Sequence, residues 1–258
     1  MLLQHIIDII ESVVPLEWQE GFDNSGLQIG NRNAEIHAAL LTTDVTEAVV
    51  DEAIDLNCDL IVSHHPLLFH GVKTISDETS QQRCVVKAIQ NNIAVYSAHT
   101  SLDSYLYGVS GDAAKRLGLS DIRFLTTQDN THGLGVVGQF AQPVSFEDLL
   151  KQVKTVFHAE GLRYVAPQKG MSALIGTVAF CGGAGAEFLP DAIEAGADVY
   201  ISADFKYHEF QQADSRIAVI DMDHWTSEHF AACILQDILG NALKTCISQA
   251  DRSPVRYI

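Results

Sequence analysis

The sequence lacks three features that would each indicate a particular class of protein. Its five cysteines show no CxxC spacing, which predicts neither a zinc ribbon nor a disulfide framework, and we expect buried thiols in a reducing cytoplasm. No apolar run approaches the roughly 20 residues that span a bilayer. The opening segment MLLQHIIDIIESVVP has no basic flank, so we expect a helix packed on the core rather than a signal peptide.

Basic residues are also scarce. The 258 residues include 16 Lys and Arg against 33 Asp and Glu, which gives a formal net charge of −17. Because binding to nucleic-acid phosphates needs a basic surface, we expect no nucleic-acid partner. The acidic excess attracts metal cations, and it repels an anionic substrate unless bound metals or local Lys and Arg reverse the field.

Short β-like runs alternate with helical stretches along the chain. Apolar patterning predicts strands at 36–43, 59–63, 93–98, 133–140, 174–181, 198–202 and 216–221. It predicts helices at 2–13, 46–57, 79–91, 111–117, 146–159, 187–195, 206–213 and 225–239. FDNSGLQIG at 22–30 is predicted to be a turn-rich loop. This order indicates an α/β fold with sheets flanked by helices.

The chain contains an internal similarity. DEAIDLNCDLIVSHH at 51–65 aligns without gaps with PDAIEAGADVYISAD at 190–204, and NIAVYSAHT at 92–100 resembles RIAVIDMDH at 216–224. Duplication is our preferred interpretation, with chance similarity between βα units as the alternative. Ligands of open α/β sheets bind beyond the carboxyl ends of the strands. We therefore expect the site at the polar segments that follow these strands.

Two polar segments of the first half carry candidate metal ligands. His64 and His65 follow the strand at 59–63, and adjacent residues of an extended segment point to opposite sides. Such a pair suits two ions better than one, although two ordinary loop histidines are the alternative. The next segment carries His99 and, four residues later, Asp103, which could instead be a turn-forming residue.

The second half adds a histidine and a carboxylate at the start of a helix. His224 and Glu228 are four residues apart and so project from one helix face. They could chelate an ion, and the two oxygens of Glu228 could bridge two ions; an acidic residue that favours a helix N-terminus is the alternative. The combined nitrogen and oxygen ligands suit Zn, Fe, Mn, Co or Ni. They exceed what one catalytic zinc uses and would serve two ions about 3.5–4 Å apart.

Six ordered motifs resemble those of the GTP cyclohydrolase 1 type 2 homologues, also called the Nif-three-like family. They are FDNSGLQIG, SHHPLLF, SAHTSLD, GTVAFCGGAG, ADVYISADFKYH and DMDHWTSE, and the resemblance runs from about residue 5 to 250. It implies a toroidal homohexamer of α/β subunits with two pseudo-symmetric, intertwined halves. We therefore expect one domain over 1–258 with halves of about 1–128 and 129–258. The chain is too short for the middle domain that longer members carry.

The resemblance also implies the ligands of two divalent metal ions per subunit. Taken residue by residue, these ligands are His64, His65, Asp103, His224 and Glu228, with Glu228 bridging. The chain departs from the family at Ala203 and Asp223, where the family usually has glycine. The carboxylate of Asp223 could support a metal ligand or cap the helix that follows it.

Further residues are expected around the same cavity. His99 and His208 are candidate catalytic proton shuttles because a histidine titrates near neutrality, and hydrogen bonding between the repeats is the alternative. Asp204, Lys206 and Tyr207 are expected to line the cavity with them. Gly182, Gly183 and Gly185 resemble a phosphate-cradling loop, although their spacing is not that of a P-loop.

These features favour a metal-dependent hydrolase of the cytoplasm. The family resemblance implies a reaction that opens a ring by cleaving a C–N bond, with cleavage of a phosphoester as the alternative, in a small-molecule substrate for which a nucleotide is one candidate. A non-catalytic metal-binding or regulatory scaffold is the alternative. No membrane association is expected.

Overall fold

The structure is a computed structural model that describes residues 1–127 and 130–258. It has a mixed α/β fold with two sheets flanked by helices, which confirms the predicted class. The chain divides into two compact units. Unit 1 comprises Met1–Leu102 and His229–Arg252, and unit 2 comprises Asp103–Glu228 and Ser253–Ile258. The predicted boundary between the repeat halves, at 128 and 129, lies outside the described residues.

Unit 1 contains a five-stranded sheet. Its strands are β1 (Gly26–Ile29), β2 (Ala38–Thr42), β3 (Leu60–Ser63), β4 (Ala94–Ser97) and β11 (Lys244–Ile247), in the order β1-β4-β3-β2-β11. The helices are α1 (Leu3–Val13), α2 (Glu47–Asp55), α3 (Ser80–Gln90) and α10 (Ala231–Leu239). Strands β2, β3 and β4 are buried throughout, as expected of parallel strands in the middle of a sheet. The Thr46 hydroxyl accepts from the Val49 amide at 3.3 Å and caps α2.

Unit 2 contains a six-stranded sheet. Its strands are β5 (Ser120–Thr127), β6 (Gly133–Ser145), β7 (Leu162–Val165), β8 (Leu174–Phe180), β9 (Val199–Ser202) and β10 (Ala218–Met222), in the order β5-β6-β8-β9-β10-β7. Its helices are α5 (Val109–Arg116), α6 (Phe146–Val156), α7 (Leu189–Glu194), α8 (Tyr207–Gln211) and α9 (His224–Glu228). The short helix α4 (Thr100–Asp103) begins in unit 1 and ends at the first residue of unit 2.

The segments that align in the sequence make the same strand pairings. Strands β3 and β4 are parallel, with Leu60 opposite Ala94. Strands β9 and β10 are also parallel, with Val199 opposite Ala218. These four residues hold equivalent positions in the two alignments, so the internal similarity corresponds to a repeated three-dimensional pattern. The extent of the two halves stays a prediction.

Several elements differ from the sequence prediction. The loop predicted at 22–30 contains β1, which pairs antiparallel with β4. The helix predicted at 225–239 is interrupted between α9 and α10, although neither intervening residue is Gly or Pro. Strands β5, β7 and β11 escaped prediction because they are sheet edges with largely exposed or half-buried residues, which blurs the apolar alternation.

Two expectations drawn from composition can be compared with the described residues. Cys58, Cys84 and Cys181 are buried, and Cys233 and Cys246 are half-buried. None of the helices in the described part of the chain has the length and apolar character needed to cross a membrane.

Candidate metal centre

Three histidines converge beyond the carboxyl ends of β3 and β4 in unit 1. His64 and His65 follow β3, His99 follows β4, and one ring nitrogen of each lies within 4.8 Å of the others. The ring centroids of His64 and His65 are 4.9 Å apart. His64 is fully buried, whereas the other two rings are partly exposed. The strand-end rule therefore located a cluster that could hold a metal ion.

The rings of His64 and His65 are held by hydrogen bonds to oxygen atoms. Nδ1 of His64 lies 3.0 Å from the carbonyl oxygen of Ala98, and Nδ1 of His65 lies 2.8 Å from Oδ1 of Asp44. Because both oxygens can only accept, each Nδ1 is the donor, and a neutral ring then carries its lone pair on Nε2. Metal-ligating histidines are oriented in this way, with the second nitrogen bound to a carbonyl or carboxylate.

His99 is held by a carboxylate that the sequence did not reveal. Nδ1 of His99 donates to Oδ1 of Asp23 at 2.8 Å. The other oxygen of Asp23 accepts from the Thr100 amide at 3.1 Å, the Thr100 hydroxyl at 2.5 Å and the Ser25 hydroxyl at 2.7 Å. Burial alone would raise the pKa of Asp23, but hydrogen bonds from His99, Thr100 and Ser25 outweigh it and hold the pKa well below its usual value. Asp23 therefore stays ionised.

Unit 2 contributes a second cluster built on Glu228. Nε2 of His224 lies 3.0 Å from Oε2 of Glu228, and a carboxylate oxygen of Asp103 lies within 4.8 Å of one from Glu228. Glu228 is 3% exposed, and two carboxylates so close together favour a cation or a proton between them. The helical spacing thus brings His224 and Glu228 together as predicted.

His224 has its own acceptor on Nδ1. Oδ2 of Asp204 lies 2.7 Å from this nitrogen. Burial alone would lower the pKa of His224, but the hydrogen bonds to Asp204 and Glu228 outweigh burial and raise it to about 11. Without a metal this imidazole is therefore an imidazolium, and a cation that binds Nε2 replaces its proton. Asp204 therefore lies beside His224, one of the predicted ligands.

The glycine-rich loop at 181–187 makes room for Glu228. A Cβ on Gly183 would lie against Oε1 of Glu228, and Gly183 has a φ of +63°. The amides of the loop donate to serine hydroxyls: Gly182 to Ser110 at 3.2 Å, Gly183 to Ser227 at 2.9 Å and Gly185 to Ser202 at 3.1 Å. A phosphate-cradling loop would instead direct its amides at the anion, so the resemblance to such a loop was misleading.

Lys206, Tyr207 and His208 lie at the surface, beyond the buried Phe205. Lys206 and Tyr207 are exposed, with Tyr207 at 72%. His208 is also exposed, and its Nδ1 lies 3.3 Å from Oε1 of Gln211 on the same helix. Of the two candidate proton shuttles, His99 belongs to a histidine cluster and His208 lies on the surface of α8.

Of the two departures from the family pattern, Asp223 has a local explanation, and nothing in the structure explains Ala203. Oδ1 of Asp223 accepts from the amide and the hydroxyl of Thr226, at 3.2 and 3.3 Å, and so caps α9. The helix-capping alternative is the one that the structure favours. Ala203 is fully buried, and its amide donates to the carbonyl oxygen of Gly183 at 3.0 Å.

The fold and these clusters define an α/β protein with histidine and carboxylate groups that could hold a metal ion. A model of the Duf34/NIF3 (NGG1p interacting factor 3) family matches residues 1–254. The chain therefore belongs to this family, and the resemblance seen in its motifs is confirmed.

Similar proteins share most of their length with this chain. A "GTP cyclohydrolase 1 type 2 homolog" of Clostridium acetobutylicum is 34% identical over 245 residues, covering 93% of this chain and 90% of the relative. A protein of the same name from Streptococcus pneumoniae is 33% identical, with complete coverage of both chains. The crystal structure of a hypothetical protein from Staphylococcus aureus matches with a TM-score of 0.92 and 25% identity, covering 100% of this chain and 99% of the other.

Proposed function

We propose that the protein is a metal-dependent hydrolase that binds two divalent ions per subunit. The proposed ligands are His64, His65, Asp103, His224 and Glu228. The observation that carries the proposal is the orientation of the histidines, because Nδ1 of each ligand histidine is held by an oxygen acceptor. This arrangement presents Nε2 to a cation and fixes the ring that carries it.

Family resemblance assigns the five ligands to one centre. Within unit 2, Glu228 has ligand atoms of both Asp103 and His224 nearby. We therefore propose Glu228 as the carboxylate that the two ions share.

Two bound divalent ions would supply the Lewis acidity that hydrolysis needs. The residues of the chain supply proton transfer. Because Nδ1 of His99 donates to Asp23, Nε2 is left to accept a proton, and the ionised Asp23 stabilises the imidazolium that results. His99 is therefore our proposed general base, in preference to the exposed His208.

The proposed substrate is a small molecule in which water cleaves a C–N bond of a ring or a phosphoester. The name of the similar proteins supports the first reaction, with GTP as the compound to test. Family resemblance also supports a cytoplasmic location and assembly as a homohexamer. Sedimentation of the purified protein would test the hexamer.

The decisive experiment combines elemental analysis with turnover. We expect about two equivalents of divalent metal in the wild-type protein and less in each of the five ligand-to-alanine variants. We also expect product from GTP or from another C–N or phosphoester substrate, lost in His65→Ala and Glu228→Ala. A wild-type protein without metal would contradict the site. A metal-replete protein that converts no member of a broad substrate panel would favour the non-catalytic scaffold.

A further inference from the structure

Unit 1 carries an aromatic surface beside the histidine cluster. We propose that the rings of Phe22 and Phe69, next to His99, form a platform that stacks against a planar heteroaromatic ring of the substrate. This inference rests on the proposed function and specifies which substrates it would serve.

The three rings lie in the spatial order Phe22, Phe69, His99. The centroids of Phe22 and Phe69 are 6.4 Å apart with the two rings tilted by 58°, so a planar ligand stacks on the face of one ring and meets the other at an angle. The centroids of Phe69 and His99 are 6.0 Å apart with an interplanar angle of 79°. Phe22 is 67% exposed and Phe69 is half-buried. The platform thus presents aromatic carbon to solvent at one end and reaches the proposed general base at the other.

The segments that carry the two phenylalanines are tied to each other. Nδ2 of Asn24 donates to the carbonyl oxygen of Leu68 at 2.5 Å, and the amide of Leu68 donates to Oε1 of Gln28 at 3.1 Å. Asp23, which follows Phe22, is fixed by its hydrogen bonds to His99 and Thr100. An exposed aromatic ring on a segment held in this way is pre-organised, so a ligand would bind it at a small entropic cost.

The chemistry of the platform selects a planar ring. Aromatic side chains stack on any heterocyclic base, because every base has a π-face, and this contact does not require a charge on the ligand. A phosphate gains nothing from an aromatic face, and the net charge of −17 opposes a polyanion. Recognition through the ring supplies affinity that this charge does not weaken. Of the two reactions proposed above, the platform therefore favours cleavage of a C–N bond in a ring.

The test uses guanosine as an uncharged planar probe and ribose 5-phosphate as a probe without an aromatic ring. Binding of each is measured by titration calorimetry to metal-loaded wild type, Phe22→Leu, Phe69→Leu and the double variant. Tyr107→Leu is the matched control, because Tyr107 is an aromatic residue outside the platform that is 48% exposed. We expect each platform variant to bind guanosine roughly 10-fold more weakly, with metal content and the affinity for ribose 5-phosphate unchanged.

Three results would overturn the platform: no binding of guanosine to the wild type, equal binding by wild type and Phe22→Leu, or an equal loss in Tyr107→Leu. Phe22→Leu is the safer variant because its exposed ring contributes little to folding. The failure of the proposed function has a different signature. If the protein binds guanosine through Phe22 but hydrolyses no substrate, the platform is supported and the proposed hydrolase function is contradicted.

Discussion

Gly183 and Glu228 are in direct contact, and the absence of a side chain at Gly183 is what lets the Glu228 carboxylate occupy its position. A Cβ added at Gly183 would collide with Oε1 of Glu228. The amide of Gly183 also donates to the hydroxyl of Ser227, the neighbour of Glu228. The glycine-rich loop and the end of α9 are therefore fitted to each other at the carboxylate that we propose the ions share.

This contact predicts that Gly183→Ala lowers metal content without removing any ligand. The new methyl group displaces the Glu228 carboxylate, and the positive φ of +63° adds backbone strain. We expect fewer metal equivalents by elemental analysis, together with a destabilisation of about 1–3 kcal/mol in urea unfolding.

Gly196→Ala is the control for that variant. Gly196 has a φ of +74°, but nothing lies within 4 Å of a Cβ added there. It therefore reproduces the backbone strain without the collision. Equal metal loss in the two variants, or full metal content in Gly183→Ala, would contradict the fitted contact.

The acceptors on Nδ1 give a second prediction. Asp44→Ala and Asp204→Ala each remove the oxygen that accepts from Nδ1 of a proposed ligand histidine, His65 and His224 respectively, and so loosen the hold on its ring. Loss of such a partner typically weakens metal binding 10- to 100-fold, which a competition titration with a chelator measures. Asp51→Ala is the control, because it removes a similarly exposed aspartate whose partner, Lys87, is not a histidine. Wild-type affinity in both test variants would argue against these partners as supports.

Much of the site could be predicted from local rules. His64 and His65 were found because a buried strand ends just before them. His224 and Glu228 were found because residues four apart share a helix face. Both rules act over a few residues, and the structure bears out the local geometry of both.

The residues that escaped prediction are recognised only through long-range contacts. Asp23 bonds to His99 across 76 positions of sequence, and Asp44 bonds to His65 across 21. In the sequence each is an aspartate in a turn-rich segment, where turn formation is the usual explanation. The pairing of β1 with β4, which brings the segment of Asp23 to His99, was itself hidden in a predicted loop. Only a correct prediction of the strand order in this sheet would have placed Asp23 beside His99.

Asp23 supplies the third prediction. Asp23→Asn keeps the size of the side chain but replaces the buried carboxylate with an amide, which weakens the hydrogen bonds made at this position. We therefore expect a loss of stability of about 2 kcal/mol at pH 7. We also expect turnover to fall more than metal content, because Asp23 holds the proposed base rather than a proposed ligand. Asp55→Asn, at an exposed position of α2, is the control. Metal loss equal to the loss of turnover would make His99 a ligand rather than a base.

The same variant has a predicted pH dependence. Since the folded pKa of Asp23 lies below its usual value, the carboxylate contributes stability that is fully present above the unfolded pKa of about 3.9. That contribution is lost as the pH falls from there toward the folded pKa. The difference in unfolding free energy between wild type and Asp23→Asn should therefore be smaller at about pH 3 than at about pH 5. A difference that grows from about pH 5 to about pH 3 would contradict the sign.

The last prediction concerns Asp223, where the family usually has glycine. Its carboxylate caps α9 through Thr226, so Asp223→Ala should lower stability by about 1 kcal/mol, and Asp223→Gly by only a few tenths. Asp223→Ser restores a capping oxygen and should recover most of the loss. Metal content should stay at the wild-type value in all three variants, because the carboxylate is bound to the helix and not to a ligand histidine. Loss of metal in Asp223→Ala but not in Asp223→Ser would instead mean that capping positions His224, whereas loss in both would assign the carboxylate itself to the site.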